Sequence, residues 1–216
     1  MTTDSAERAD QVGRLRDGGE QALADLFSEY RDRLKRMVRF RLDRRLFGRV
    51  DASDVLQEAY LDAVKRVHHY VENPSMPFFV WLRLITGQTL IDVHRHHLGA
   101  QMRGADQEVS MERGGVPHAS SMCLAAQFVG HLTSPSQAAM RAETLARLQT
   151  ALDDMDPMDR EILALRHFEE LGNNEAAEVL GLQKAAASNR YVRALRRLKE
   201  ALAGVPGFSE AGGEGG

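Results

Sequence analysis

The chain has 216 residues, 43% apolar and 27% charged, as expected of a globular protein with one or two domains. Its formal net charge of −3 argues against a protein that coats nucleic acid without regard to sequence, and its one cysteine, Cys123, excludes an intrachain disulfide. Because no apolar run is as long as a membrane span and the N-terminus lacks the apolar core of a signal peptide, we expect a cytoplasmic protein with no membrane insertion.

Residues that favour helices dominate the chain, which predicts an all-α fold. In the first hundred residues, apolar spacing predicts one or two helices over 17–47, one over 51–70 and one over 77–97. Either Asp51 or Ser53 can cap the second of these helices.

Charged residues are segregated along the chain. Nine basic residues lie between residues 30 and 50, against two acidic ones, and nine acidic residues lie between 153 and 178, against two basic ones. We expect these two blocks to create opposite local fields and to steer different partners to different faces.

Helical periodicity is lost after residue 98 and returns near residue 136. Gly, Pro and Ser recur in between, which predicts a flexible linker over 101–135. Two helices are predicted beyond it, over 137–152 and 157–171, and the Gly-rich tail, 206–216, is predicted to be disordered.

The segment from residue 174 to 202 has the pattern of a helix-turn-helix. A short helix over 174–180 meets Gly181, where a positive φ is tolerated, and a longer helix with a basic face follows. In such a motif the second helix enters the DNA major groove. The alternative is a solvated basic helix on an ordinary bundle.

Three further segments carry a resemblance to a known family. They are Asp17–Val38, Asp51–Val64 and Phe79–Arg95. In this order, followed by the helix-turn-helix, they resemble the sigma-70 family of bacterial sigma factors, in its compact extracytoplasmic-function (ECF) group. The resemblance implies two small helical domains joined by the linker: residues 1–100 for polymerase core and the −10 element, and residues 136–205 for the −35 element.

The resemblance also implies roles for individual residues. Asp54, Gln57 and Glu58 match the core-binding motif, whose partner is the pair of clamp helices in the β′ subunit of RNA polymerase. Asp54 and Glu58 are one helical turn apart, so they share a face; without the family match, a solvated acidic face would explain them equally well.

The expected DNA contacts form two sets. Arg83, Thr86, Gln88 and Arg95 are candidates for the −10 strand, and the aromatic residues Phe78 and Trp81 either stack on unpaired bases or belong to the core. The candidates for the −35 element are Lys184, Ser188, Asn189, Arg190, Arg193, Arg196 and Arg197.

The function predicted from these observations is a transcription initiation factor that binds RNA polymerase core and directs it to promoters, which it helps to melt. A stand-alone helix-turn-helix regulator is the main alternative, and an enzyme on a helical bundle finds no supporting motif. His94, His96 and His97 lack an accompanying metal motif, so no metal or cofactor is predicted. Promoter DNA and an anti-sigma protein are further expected partners.

Overall fold

The computed structural model describes residues 3–98, 119–132 and 138–203. These ranges contain α-helices, a π turn and one short 3-10 turn, without any strand, so the predicted all-α fold is confirmed. The helices are α1 (Thr3–Arg41), α2 (Ala52–Glu72), α3 (Phe78–Leu98), α4 (Ser121–Leu132), α5 (Ala138–Asp153), α6 (Pro157–Leu163), α7 (Asn173–Leu180) and α8 (Lys184–Leu202). The predicted tail over 206–216 lies outside the described residues.

The first three helices pack against one another. Helix α1 starts earlier than predicted and is kinked at Gly19, whose φ is 54°. Of the two candidate caps for α2, Asp51 takes the role, because its carboxylate accepts the backbone N–H of Ser53 at 2.6 Å. Apolar residues of all three helices form the core between them, including Leu23, Leu26, Leu34, Leu56, Phe78 and Leu82.

A helix lies where the sequence predicted a linker without regular structure. Helix α4 spans twelve residues, and its Leu124 and Ala125 are fully buried. The whole segment is rich in Gly, Pro and Ser, so its composition predicted a linker and did not indicate this short apolar helix. Residues 101–118 of the predicted linker lie outside the described residues, so its flexibility stays a prediction.

The C-terminal helices build the predicted helix-turn-helix. Helix α7 ends at Gly181, whose φ of 62° and ψ of 34° confirm the left-handed turn expected there. Helix α8 then packs on α6 and α7 through Ala187, Ala194 and Leu198. Helix α6 is shorter than predicted and continues as a π turn over Ala164–Phe168.

The two predicted domains are in contact, and their opposite charge blocks face each other. At the rim, Arg33 pairs with Glu175 at 3.1 Å and Arg36 with Glu170 at 2.6 Å. The basic block of α1 therefore neutralises part of the acidic block, whereas the sequence led us to expect that each would serve a different partner. The predicted domain boundaries themselves stay a prediction.

Candidate nucleic-acid and protein interfaces

One face of α2 carries the residues expected to bind the polymerase core. Asp54, Gln57 and Glu58 are all exposed, because the opposite face of the helix is occupied by core residues such as Leu56 and Ala59. Within the described part of the chain, no cation forms an ion pair with Asp54 or Glu58. These carboxylates are thus available to a partner with complementary charge.

The same face contains an apolar residue that the motif did not identify. Leu61 follows Gln57 by one helical turn, and 52% of its surface is exposed. A single exposed leucine is common on protein surfaces, so Leu61 supports a protein contact only in combination with the unpaired carboxylates and the motif match. Its spacing from Gln57 was the sequence signal that could have revealed it.

Two of the four residues predicted to contact the −10 strand are buried. Arg83 is 2% exposed, and its Nε donates to a carboxylate oxygen of Glu169 at 2.6 Å. Thr86 is fully buried and its hydroxyl donates to the carbonyl of Leu82 at 2.8 Å. In this arrangement neither side chain can contact DNA, so their predicted roles require that α3 first separate from its neighbours.

Arg83 belongs to a buried cluster of four charges between the two halves. Arg41 pairs with both Glu161 and Glu169, and Arg83 lies 3.8 Å from Glu161. Burial alone would raise the pKa of Glu169, but Arg41 and Arg83 outweigh burial and hold that pKa below its ordinary value. Two cations and two carboxylates compensate each other, which is the condition for burying charge.

The other two predicted −10 residues lie nearer the surface. Gln88 accepts a hydrogen bond from Arg66 at 2.7 Å, and Arg95 is exposed, 3.7 Å from Asp92. Of the two aromatic candidates, Phe78 is fully buried, and Trp81 packs on it with ring centroids 5.5 Å apart. Both rings pack in the core, which favours that alternative over base stacking.

The outer face of α8 presents most of the residues predicted to read the −35 element. Ser188 and Asn189 are exposed, and so are Lys184, Arg193, Arg196 and Arg197. Val192 lies on the same face with 51% of its surface exposed. Sequence reasoning considered only polar groups and overlooked Val192, although an aliphatic side chain can contact a thymine methyl group.

Arg193 is exposed but lies 4.0 Å from a carboxylate oxygen of Asp159, and Arg190 is half-buried against the same carboxylate. The Arg190 guanidinium lies 2.7 Å from a carboxylate oxygen of Asp159, which is 3% exposed, and 3.4 Å from Asp156. This ion pair attaches α8 to α6, so in this arrangement the Arg190 guanidinium is engaged within the protein. The partner precedes it by more than thirty residues, and no local pattern indicated the pairing.

Neither a metal centre nor a membrane segment is found in the described ranges. His94 accepts the backbone N–H of Asp43 at 3.1 Å, while His96 and His97 are exposed. No three potential metal ligands converge there, and none of the helices there is both long and apolar enough to cross a bilayer.

Comparison with known proteins finds similarity to sigma factors. The sequence model of a family described as "ECF sigma factor" matches residues 6–203. The chain is 24% identical over 200 residues to the ECF RNA polymerase sigma factor BldN of Streptomyces coelicolor, covering 93% of this chain and 67% of that protein. It is 28% identical over 161 residues to the RNA polymerase sigma factor CnrH of Cupriavidus metallidurans, covering 73% and 78%. A solved structure of CnrH in complex with the cytosolic domain of CnrY aligns at 21% identity with a TM-score of 0.49, covering 92% of this chain and 97% of that one.

Proposed function

The chain belongs to the ECF sigma factor family and is therefore a sigma factor that acts in transcription initiation and binds RNA polymerase, and we propose that it docks on the polymerase core through the exposed face of α2. The observation that carries this proposal is that Asp54, Gln57 and Glu58 share an exposed face of α2 with Leu61, which lies one turn beyond Gln57. Two unpaired carboxylates supply charge complementarity to a basic partner, and Leu61 supplies an apolar contact beside them.

The partner surface that fits this face is the pair of clamp helices in the β′ subunit. A helix face with exposed carboxylates and one apolar residue suits a coiled-coil partner, because the outer surface of a coiled coil carries charged side chains. The carboxylates steer the encounter, and burial of Leu61 slows dissociation.

Promoter DNA is the second proposed partner. The outer face of α8 reads the −35 element, with Ser188 and Asn189 near the start of the helix, where recognition helices meet base edges. Arg196 and Arg197 lie further along and contact phosphates. On α3, Gln88 and Arg95 contact the −10 strand first, whereas Arg83 becomes available only if the buried charge cluster opens and Thr86 only if α3 separates from its neighbours.

The experiment that tests the docking proposal is a titration of fluorescent full-length chain with RNA polymerase core. Asp54→Lys combined with Glu58→Lys should weaken core binding at least about tenfold, because like charges would then face each other at close range. Leu61→Ala should also weaken binding, with the effect mainly on dissociation.

The matched control is Glu143→Lys, which reverses an exposed carboxylate on α5. It should leave core affinity unchanged, and all variants should keep the parental helical content by circular dichroism. Equal core affinity of the parent and the α2 variants would remove this face from the interface.

A further inference from the structure

Exposed large apolar residues are few in the described part of the chain, and their positions are informative. They are Phe47, Leu61, Met122 and Val192. Leu61 and Val192 lie on the two faces already proposed to bind polymerase and DNA. Phe47 has the largest exposed fraction of the four, 53%, and lies outside both α2 and α8.

Phe47 is held outward by an ordered turn, which we name the basic turn (residues 43–50). The carboxylate of Asp43 accepts the backbone N–H of Arg45 at 2.9 Å, and Leu46 anchors the turn in the core with 1% exposure. Gly48 has a φ of 78°, a value that favours glycine and reverses the chain after Phe47. The backbone thus fixes the ring at the surface before any partner arrives.

The surroundings of Phe47 are cationic. Arg44, Arg45 and Arg49 are exposed on the same turn, and Arg39 is exposed on the last turn of α1 before it. Asp43 pairs with Arg45 at 2.8 Å and the guanidinium of Arg44 contacts the sulfur of Met122, whereas no described carboxylate pairs with Arg39 or Arg49. An aromatic ring among unneutralised arginines has the chemistry of a single-stranded nucleic-acid site, in which a base stacks and phosphates are paired.

The basic turn is joined to the helix proposed to contact the −10 strand. His94 of α3 accepts the backbone N–H of Asp43 at 3.1 Å, and the exposed Arg95 is its next neighbour. Burial lowers the pKa of His94, consistent with a neutral ring that accepts this hydrogen bond. The basic turn and the C-terminal end of α3, which carries Arg95, are thus neighbours.

We propose that the basic turn binds an unpaired strand of the melted promoter, with one base stacked on Phe47 and adjacent phosphates paired with Arg44 and Arg49. This inference rests on the proposed function, because it requires promoter DNA at α3. Duplex DNA offers no free base face to an aromatic ring, so the turn engages only after strands separate. It stabilises the open state of the promoter rather than the first encounter.

The test uses holoenzyme reconstituted from core and the full chain, with a promoter recovered by transcription from a fragment library. One template keeps the −10 region unpaired through non-complementary strands, and the other is a duplex that contains only the −35 region. The variants are Phe47→Trp, Phe47→Leu and Phe47→Ala, together with Arg49→Gln, and the matched control is Arg147→Gln on α5.

Leucine keeps apolar area but cannot stack on a base, so this series separates a DNA contact from an apolar protein contact. Phe47→Leu and Phe47→Ala should weaken binding to the unpaired template about 5- to 100-fold, the range expected for loss of one stacked base. Phe47→Trp should retain binding, Arg49→Gln should reduce its dependence on salt, and Arg147→Gln should change neither. Binding to the −35 duplex should stay at the parental level throughout.

Two results would overturn the inference. One is unchanged binding of Phe47→Leu and Phe47→Ala to the unpaired template. The other is weaker binding of these variants to core polymerase itself, which would place the turn in a protein interface. If the parent holoenzyme bound the unpaired template no better than core alone, the proposed function would fail instead.

Discussion

At the scale of single residues, the structure uses arginine in two ways that the sequence does not distinguish. Arg83 and Arg190 both belong to predicted DNA-binding sets, yet each is paired with a buried carboxylate, Glu169 or Asp159. The partner of Arg83 is more than eighty residues away, so neither periodicity nor motif spacing could reveal it. Exposed members of the same sets, such as Asn189 and Arg95, have the surface placement that their proposed roles require.

The buried cluster gives a prediction for stability. Glu169→Gln leaves Arg41 and Arg83 with one carboxylate between them, so the free energy of unfolding should fall by about 3–5 kcal/mol. Glu143→Gln, which removes an exposed pair with Arg147, should change it by less than about 1 kcal/mol. Urea denaturation of both variants measures the two losses in the free energy of unfolding. Equal losses would show that the buried cluster stabilises the fold no more than an exposed ion pair does.

Acid should remove the stabilisation that Glu169 contributes through the buried charge cluster. The pKa of Glu169 in the folded chain lies below its ordinary value of 4.5, so its stabilisation is present above that pH and is lost as pH falls below it. The gap in stability between the parent and Glu169→Gln should therefore be constant near neutrality and narrow below about pH 4.5. A gap that stays constant down to pH 3 would contradict this assignment.

At the scale of elements, helices with strong periodicity and clear ends were predictable, and short helices in Gly- and Pro-rich surroundings were not. Helices α2, α3, α7 and α8 begin and end close to the positions predicted, because caps, Pro77 and Gly181 mark their ends. Helix α4 was not predicted, because it contributes only a few core residues, including Leu124 and Ala125. Its burial depends on the helices around it, which local sequence does not encode.

Helix α8 gives a prediction about readout. Asn189→Ala should change the preference of holoenzyme among randomised −35 sequences, by about 1–3 kcal/mol for a good bidentate contact. Val192→Ala should change preference at a neighbouring thymine, whereas Arg197→Ala should weaken binding to all sequences alike and flatten the salt dependence. Selection from the library at two salt concentrations measures both effects, and an unaltered preference in the first two variants would place base readout elsewhere.

Arg190 is expected to behave differently in the same assay. Arg190→Ala leaves the buried carboxylate of Asp159 without its closest cation, so it should lower thermal stability more than Arg197→Ala does. If Arg190→Ala instead altered the preference among −35 sequences while thermal stability stayed at the parental level, the ion pair between Arg190 and Asp159 would have to open when DNA binds.

At the scale of the whole molecule, the two charge blocks account for how the halves meet. The basic block of α1 and the acidic block from α6 to α7 pair through Arg33, Arg36 and Arg41. The sequence showed both charge blocks, but it did not show that they pair with each other. Clustered charge predicts a local electrostatic field and does not identify which residues will be in contact. For Arg83 to contact promoter DNA as proposed, a phosphate has to replace its internal partner Glu169.

In the function proposed above, this chain directs RNA polymerase core to promoters through the face of α2. The most direct measurement is run-off transcription from a pool of genomic fragments, with core alone, with core and the parent chain, and with core and the Asp54→Lys, Glu58→Lys variant. We predict discrete transcripts only with the parent chain, starting downstream of shared −35 and −10 sequences. If transcription is the same with and without the chain, or is not reduced by the variant, the chain does not direct core polymerase through this face of α2.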